Sequence, residues 1–553
     1  MSAELSDISR SPSIAIRQLA IGRNARCGIA LPDLRRDKQL LKRLLRSISA
    51  IFAGQFLNIV GNLLLVPLFL SRWSTSMYGE WMALSAVVAY FGVTDLGMNL
   101  AATNAMTAAY ARSDLGRYRY LQGSAMAFYV GMAFSISFLF GFLTAVLPIP
   151  AWIGIRHIPP TVAAGVTWLL ATRILWQMPA AQLLSIYRTT GNLAATHWLY
   201  NLQSVGLMAV TATVILLQGD VLRLAVWGTA PMIMVTVGAW FRLRSSHPEL
   251  LPKLSEARIS GLRELLGPSL LFGLIMLSMA LTLQGPVLLV SKVLGGTAVA
   301  LLITTRTLAN VVRQMVAPVQ AALWPELTRL DAVGAEGVLR LGHRLLVIGS
   351  VTLSAAFAGA LWFEGASVIG VWTLGKLAAD VWLLRIFLLA IVLQATWLPS
   401  SLFMMANNQH RRLAHSYFIS AVVTLAATAL LVHPCGLLAA PVGALIGEAL
   451  ACYHFVIKNT CNVLKEEYSR FAARLWSGVA AISCAAWGAG YLGHSVAIGP
   501  APLRWLEVGA LTTLAAVLAA WGVALRKNDR SRVAIWGKSR WSALRPTAVE
   551  LAA

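Results

Sequence analysis

Residues 296–324 read GTAVALLITTRTLANVVRQMVAPVQAALW. The stretch can span a bilayer, because about 20 helical residues at about 1.5 Å each cross a hydrocarbon core of about 30 Å. Yet Arg306 and Arg313 stand inside it, with Asn310 between them and Gln320 two turns further on. A charge at the centre of a membrane helix costs about 2.5–3.5 kcal/mol on insertion scales. These side chains are therefore expected to face protein or a water-lined cavity rather than lipid. The economical reading is a cavity through which something anionic passes.

Working outward, the chain holds fourteen such apolar stretches, near 48–70, 78–104, 123–147, 162–186, 195–217, 221–241, 269–291, 296–324, 345–371, 379–407, 413–433, 436–457, 475–496 and 505–525. Hydrophobic residues make up 58% of the 553 and charged residues 12%, too little polar surface for a soluble domain. The expected fold is an all-α polytopic membrane protein. The net charge of +23 does not point to nucleic acid, because the basic residues alternate with the helices. Of the 45 Lys and Arg, 35 fall in the two terminal segments and the loops after even-numbered helices. Six fall on the other side, and the remaining four are Arg173, Arg306, Arg313 and Arg385 inside apolar stretches. By the positive-inside rule both termini are expected in the cytoplasm of a plasma (inner) membrane. Residues 34–46 mix Leu34, Leu40, Leu41, Leu44 and Leu45 with basic residues. They read either as an amphipathic helix on the anionic leaflet or as the start of the first span. The five cysteines form no C-x-x-C pair and read as ordinary small residues, with no metal or disulfide framework.

An internal repeat is visible at an offset of about 220 residues. Val66-Pro67-Leu68-Phe69-Leu70-Ser71-Arg72 aligns with Pro286-Val287-Leu288-Leu289-Val290-Ser291-Lys292. Thr107, Gly116 and Arg119 match Thr328, Gly337 and Arg340 at identical spacings. Chance similarity between apolar segments is the alternative. An even number of helices per half gives parallel repeats with a site between them near the midplane. The expected organisation is a basic segment 1–47, an N-lobe 48–241 and a linker 242–268. A C-lobe 269–457, two added helices within 458–525 and a basic tail 526–553 follow.

Residues at i, i+3, i+4 and i+7 share one helix face. Gln55, Asn58 and Asn62 do so in the first helix, Arg173 and Gln177 in the fourth, and His197, Asn201 and Ser204 in the fifth. Arg306, Asn310 and Arg313 do so in the eighth. Guanidiniums bind phosphate bidentately, more strongly at low dielectric than in water. Arg306, Arg313 and Arg173 are thus the candidates for an anionic group, and the amides for hydroxyls. The alternative for each arginine is a structural ion pair with Asp95, Glu364 or Glu448, and snorkelling for Arg385. Asp95, Glu448 and Glu364 also read as candidates for ion coupling, Asp95 as a group that titrates in a proton-coupled cycle. Glu80 reads as an interfacial residue at the outer mouth.

Several of these residues carry a resemblance. Tyr78-Gly79-Glu80-Trp81, an apolar helix and then Asp95-Leu96-Gly97 resemble the second helix of O-antigen (Wzx-type) polysaccharide flippases. Trp324-Pro325-Glu326-Leu327-Thr328 is similar to that family's Pro-x-Leu-Ser/Thr segment, and Gly370-Val371-Trp372 to its membrane-edge tryptophan. Gly436 and Gly443 also fit, so the resemblance spans roughly 48–457. It implies the multidrug/oligosaccharidyl-lipid/polysaccharide exporter fold, with two six-helix lobes around a central cavity. It implies a cargo of undecaprenyl-diphosphate-linked oligosaccharide, moved between leaflets for surface or exopolysaccharide synthesis. Membrane lipids and a polysaccharide polymerase or ligase would be its partners. The chain departs from the twelve-helix core by two further helices and a long basic N-terminus. The family's coupling-ion residues do not match position by position.

Two rival readings stand beside this one. A drug/cation antiporter of the same superfamily would need an acidic, aromatic cavity, whereas arginines dominate here. A membrane enzyme of polysaccharide assembly would need a sizeable reactive outer loop. The longest outer loop, 148–161, offers Arg156 and His157, and there is no H-E-x-x-H, loop D-x-D or P-loop. No cofactor is implied.

Overall fold

The computed structural model describes residues 34–332, 336–406, 410–525 and 529–531. The backbone alone is described for 34–45, 266–270, several positions within 318–332, and 406 and 410. The chain is all-helical, with no strand among the described residues. In order, α1 (Leu34–Arg72) is the first pass, and α2 (Thr75–Val88) with α3 (Met98–Ala111) the second. Next come α4 (Leu115–Val146), a short α5 (Ile149–Ile153), α6 (Pro160–Thr189) and α7 (Leu193–Leu216). The sixth pass is α8 (Val221–Trp227) with α9 (Ala230–Ser246), and the seventh is α10 (Ile259–Leu294). The eighth is α11 (Gly296–Ala309) with α12 (Val311–Ala332), followed by α13 (Glu336–Trp372), α14 (Val381–Ala406) and α15 (His410–Cys435). The twelfth is α16 (Ala439–Ala451) with α17 (Phe455–Val463), and α18 (Tyr468–Val496) and α19 (Ala501–Ala519) complete the fourteen.

Eleven segments among the described residues are long and apolar enough to cross a membrane, and one of them, Arg411–Val463, contains two passes. The two passes outside that set are α6, which carries Arg173, and α11–α12, which carries Arg306 and Arg313. Polarity sets α6 apart, whereas α11 is apolar but only 14 residues long, cut short by the break at Asn310. The basic stretch 34–47 runs unbroken into the first span, so its backbone is the start of α1 rather than a separate helix. The expected segments on 1–33 and on 532–553, with Trp536 and Trp541, lie outside the described residues, as does Cys27.

The expected continuous helices need one correction. Passes two, six, eight and twelve are each broken. In the second, a 3₁₀ turn over Ala89–Asp95 ends at Leu96 and Gly97, both left-handed with φ of 50° and 73°. The others break at Gly228, at Asn310 and at Cys452–His454. Six passes separate two from eight and six from twelve, so the breaks recur in corresponding places of two six-helix lobes. Contacts repeat likewise. α1 packs on α7 as α10 packs on α15, that is, first on fifth and seventh on eleventh. The matched arginines also act alike. Arg119 donates from Nε to the Glu249 carbonyl, just after the sixth pass, at 2.9 Å. Arg340 donates to the Leu464 and Lys465 carbonyls, just after the twelfth, at 3.4 and 3.3 Å. The lobes form a parallel pseudo-repeat.

The lobes share one core at one face and keep separate cores at the other, where α10 still packs on α3 and α4. One apolar core gathers Leu70, Trp73, Tyr78 and Leu84 of the N-lobe with Val287, Val290, Val299 and Leu302 of the C-lobe. It lies at the face opposite the basic loops. At its centre α2 crosses α11 so closely that a Cβ on Gly79 would stand 1.7 Å from the Gly296 carbonyl. Ser76 and Thr297 hydroxyls meet beside it at 2.8 Å. At the basic face there are two cores: Met98, Tyr118 and Leu184 with Leu265 of α10 in one, Leu339 and Phe403 in another. The segment 247–264 is sewn to α4 there, through Arg258–Ser124, Tyr120–Ser260 and Arg117–Glu264 contacts at 3.0, 2.8 and 2.5 Å.

The two added helices are fastened to α13 at three levels. Buried Glu364 accepts from His494 Nδ1 at 2.6 Å and Arg504 Nε at 2.9 Å. Gly359 and Gly490 allow α13 and α18 to meet backbone to backbone. Arg344 pairs with Glu466 at 3.0 Å and Asp529 at 3.2 Å.

Gly79→Leu is expected to wedge α2 from α11 and lower the melting temperature of the purified protein by several degrees, since overpacking costs about 1–3 kcal/mol. Gly238→Leu, at a position with open space around it, is the control and should leave the melt unchanged.

Candidate functional site

The broken passes concentrate polar groups inside each lobe. In the N-lobe, α6 presents Arg173 and Gln177 toward the breaks of the second and sixth passes. These and Asp95, Asn99, Gln203, Gly228 and neighbouring apolar side chains line a cavity of about 390 Å³. Arg173 donates to the Gly228 carbonyl at 3.4 Å, the end of α8. A cation there meets carbonyls that the broken helix no longer uses. Gln177 and Gln203 bond to each other at 2.6 Å. Asn99 donates to Gln182 at 3.2 Å, and Gln182 donates to Gln122 at 2.6 Å. Asp95 accepts a short hydrogen bond from the fully buried Tyr129 hydroxyl and a longer one, 3.4 Å, from the Asn99 amide.

In the C-lobe, Arg306 donates to the Leu283 carbonyl at 2.5 Å. The Leu283 carbonyl already has the Val287 N–H as its helical donor, so Arg306 adds a second; the carbonyl that Pro286 leaves without a donor is the adjacent one, of Thr282. Arg313 has no hydrogen bond or ion pair among the described residues. Its electrostatic neighbours are Arg306, Glu448 and Tyr417. With Gln320, Ser350, Ser354 and Gln394 it borders a space of about 20 Å³, room for about one water.

The candidate ion pairs of the arginines are absent among the described residues, because each carboxylate has other partners. Asp95 holds Tyr129, and Glu364 holds His494 and Arg504. Glu448 accepts from Gln394 at 2.5 Å and from Trp397 and Tyr453 at 3.2 Å each. Arg385 leaves the set of cavity cations: it lies against Trp362 and Trp382, 5.1 and 5.3 Å from the ring centres.

Three further corrections follow. Asn201 does not line a cavity; it is buried and donates to the Ala50 carbonyl at 2.9 Å, filling the notch at Gly54 between α7 and α1. Arg173 does not converge with Arg306 and Arg313, because the two sets are enclosed in different lobes. Glu80 is not an interfacial residue. It is fully buried and accepts from the Arg156, His157 and Ile158 amides at 2.8, 2.9 and 3.0 Å, and contacts His157 Nδ1 at 2.8 Å. No sequence signal announces it, since the donors are backbone groups of a loop. Gln122 and Gln182 were also missed, although a glutamine in an apolar stretch is itself a signal. Asn310 sits at the break of the eighth pass. His197 is half-buried near Arg188. Gln55, Asn58 and Asn62 make no side-chain hydrogen bond among the described residues. The side chains of 324–326 and 328 lie outside them.

No family model and no curated protein matches the chain. Solved structures do. A multidrug resistance MATE family transporter of the MOP superfamily, inward-facing, matches with a TM-score of 0.63 at 12% identity, over 76% of this chain and 99% of that one. The lipid II flippase MurJ, inward closed, matches with a TM-score of 0.61 at 11% identity, over 87% and 100%. An outward-facing MATE family transporter gives 0.56 at 13% identity, over 77% and 96%. The chain therefore has the fold of these membrane transporters.

Tyr129→Phe removes one hydroxyl from a buried carboxylate and little else. It is expected to cost about 1–3 kcal/mol, a drop of a few degrees in thermal unfolding. Combined with Asp95→Asn it should cost less than the sum of the two.

Proposed function

We propose that the protein is a flippase that moves an anionic lipid-linked oligosaccharide, of the undecaprenyl-diphosphate type, from the inner to the outer leaflet. The observation that carries this reading is the Arg306–Arg313 pair, two cations within a membrane bundle with no carboxylate bonded to either among the described residues. Glu448 is the one carboxylate among the electrostatic neighbours of this pair, and two buried positive charges beside one negative are costly unless a further anion joins them. A diphosphate supplies that anion, and Asn310, Gln320 and Gln394 offer donors and acceptors for its ester and sugar oxygens. The likeness to a lipid II flippase supports a lipid-linked cargo. Arg173, Gln177, Asn99 and Gln203 make a second polar station, in the N-lobe.

The mechanism is alternating access. Both termini and the basic loops face the cytoplasm; the shared core closes the lobes at the outer face, while at the inner face each keeps its own core and they meet along α10. The space beside Arg313 is too small for any headgroup, so binding requires the C-lobe helices to part before the lobes rock. The isoprenoid chain stays in lipid while the headgroup crosses. Asp95 and Glu448 are the candidate coupling groups. The polymerase or ligase of the same assembly line would take the product.

One observation favours a second reading, the drug/cation antiporter: the roomier cavity holds the carboxylate of Asp95, and MATE transporters share the fold. The charge of the ligand separates the two. Purified protein in nanodiscs should bind undecaprenyl diphosphate, read by native mass spectrometry, and Arg306→Ala and Arg313→Ala should each weaken binding about ten-fold or more. Binding of a lipophilic cation such as ethidium, indifferent to both substitutions but lost in Asp95→Asn, would favour the antiporter.

A further inference from the structure

We propose that Trp372 is a positioning residue of the transport cycle, which holds the outer closure by donating to a carbonyl that Pro67 leaves vacant. The proposal rests on the alternating-access reading. α1 continues as a helix through Pro67. Proline has no N–H, so the Leu63 carbonyl, four residues earlier, has no helical donor. Trp372 fills that place from the other lobe. It is the last residue of α13, and its indole Nε1 donates to the Leu63 carbonyl at 2.6 Å across 309 positions of sequence.

Three features make this more than a chance contact. The indole has one donor and no acceptor, so it matches an orphan carbonyl. The Trp372 ring packs against both the shared core at the outer face and the separate core of the C-lobe, so its position registers one lobe on the other. Among the described residues the other hydrogen bonds joining the lobes at that face are Ser76–Thr297 at 2.8 Å and Lys292 to the Ala151 carbonyl at 3.4 Å, one of hydroxyls and one long. The Trp372 bond is the shortest of the three. It is also reversible by construction: when the lobes part, water entering the cleft can hydrate both the carbonyl and the indole. Broken in lipid the bond would strand two polar groups; broken in a wet cleft it strands none.

The sequence thus encodes the latch in two places. Pro67 creates the acceptor and Trp372 supplies the donor. Replacing Pro67 by alanine gives residue 67 an N–H that competes for the Leu63 carbonyl from within α1. Both changes weaken the same bond, and neither touches the arginines.

The test uses the full chain in nanodiscs, with its five native cysteines replaced and spin labels at Leu217→Cys and Lys376→Cys, exposed sites on the outer ends of the two lobes. Pulsed dipolar spectroscopy reads the populations of closed and open outer faces. Benzothienylalanine at 372 keeps the ring and removes only the N–H. It should raise the open-to-closed ratio about five-fold, as one lost hydrogen bond predicts, and Pro67→Ala should do the same. Together they should give less than the product of the two, because they act on one bond. Gly79→Leu, which wedges the same face apart without touching the bond, is the reference. If Gly79→Leu opens the outer face while benzothienylalanine and Pro67→Ala leave it closed, the latch is overturned and alternating access stands. If none of the three produces a second distance, the lobes do not part there, and both the latch and the alternating-access reading fall.

Discussion

In hydrocarbon a backbone N–H or C=O without a partner costs several kcal/mol, and the polar chemistry of this molecule is organised around that constraint. Straight helices satisfy it by themselves. Four broken passes and the prolines of α1 and α10 do not, so they leave carbonyls that need donors from elsewhere. The donors are the polar side chains that looked anomalous in apolar stretches. Arg173 serves the end of α8 and Trp372 the gap above Pro67, while Arg306 adds a donor to the Leu283 carbonyl of α10, next to the one that Pro286 leaves open. A break in a membrane helix and a charged side chain in the next helix are thus two halves of one device. Irregular backbone is tolerated there because it faces protein or a cavity.

That device also places the chemistry. Each lobe holds its own polar interior, bounded by the breaks of its second and sixth helices. The N-lobe interior is roomy and contains both signs of charge, with Asp95 and Arg173 on the same cavity. The C-lobe interior is tight, with Arg313 unbonded and Glu448 bound by three uncharged donors. An anion entering the C-lobe would complete an electrostatic set that the fold leaves open, whereas one entering the N-lobe would compete with Asp95. The shared apolar core and the Gly79–Gly296 crossing give the lobes a fixed meeting point at one face. The two added helices extend α13, fastened by Glu364 and Arg344, and so belong mechanically to the C-lobe.

Much of the fold was legible because membrane helices are written in hydropathy. All fourteen passes stand where the apolar stretches place them. The repeat was legible in Arg119 and Arg340, whose matched spacing corresponds to matched carbonyl contacts. The breaks were not, since an Asn or Gly in an apolar run does not reveal whether the helix stops there. The site was legible only as a set of polar helix faces. Which arginines meet depends on how helices rotate and which lobe they close. Periodicity cannot separate Arg173 from Arg306, or show that Asn201 fills a notch beside Gly54. Glu80 was invisible for a different reason: its partners are the amides of a loop, and any sequence has those.

The most direct test of the central claim is the leaflet position of lipid-linked oligosaccharide in spheroplasts of a host lacking the gene, alongside its surface polysaccharide. The account predicts that intermediates accumulate on the inner leaflet while the surface polymer is lost, and that the wild-type gene but not Arg313→Ala restores both. Intermediates found already on the outer leaflet, unpolymerised or unligated, would contradict it and place the protein after the translocation step.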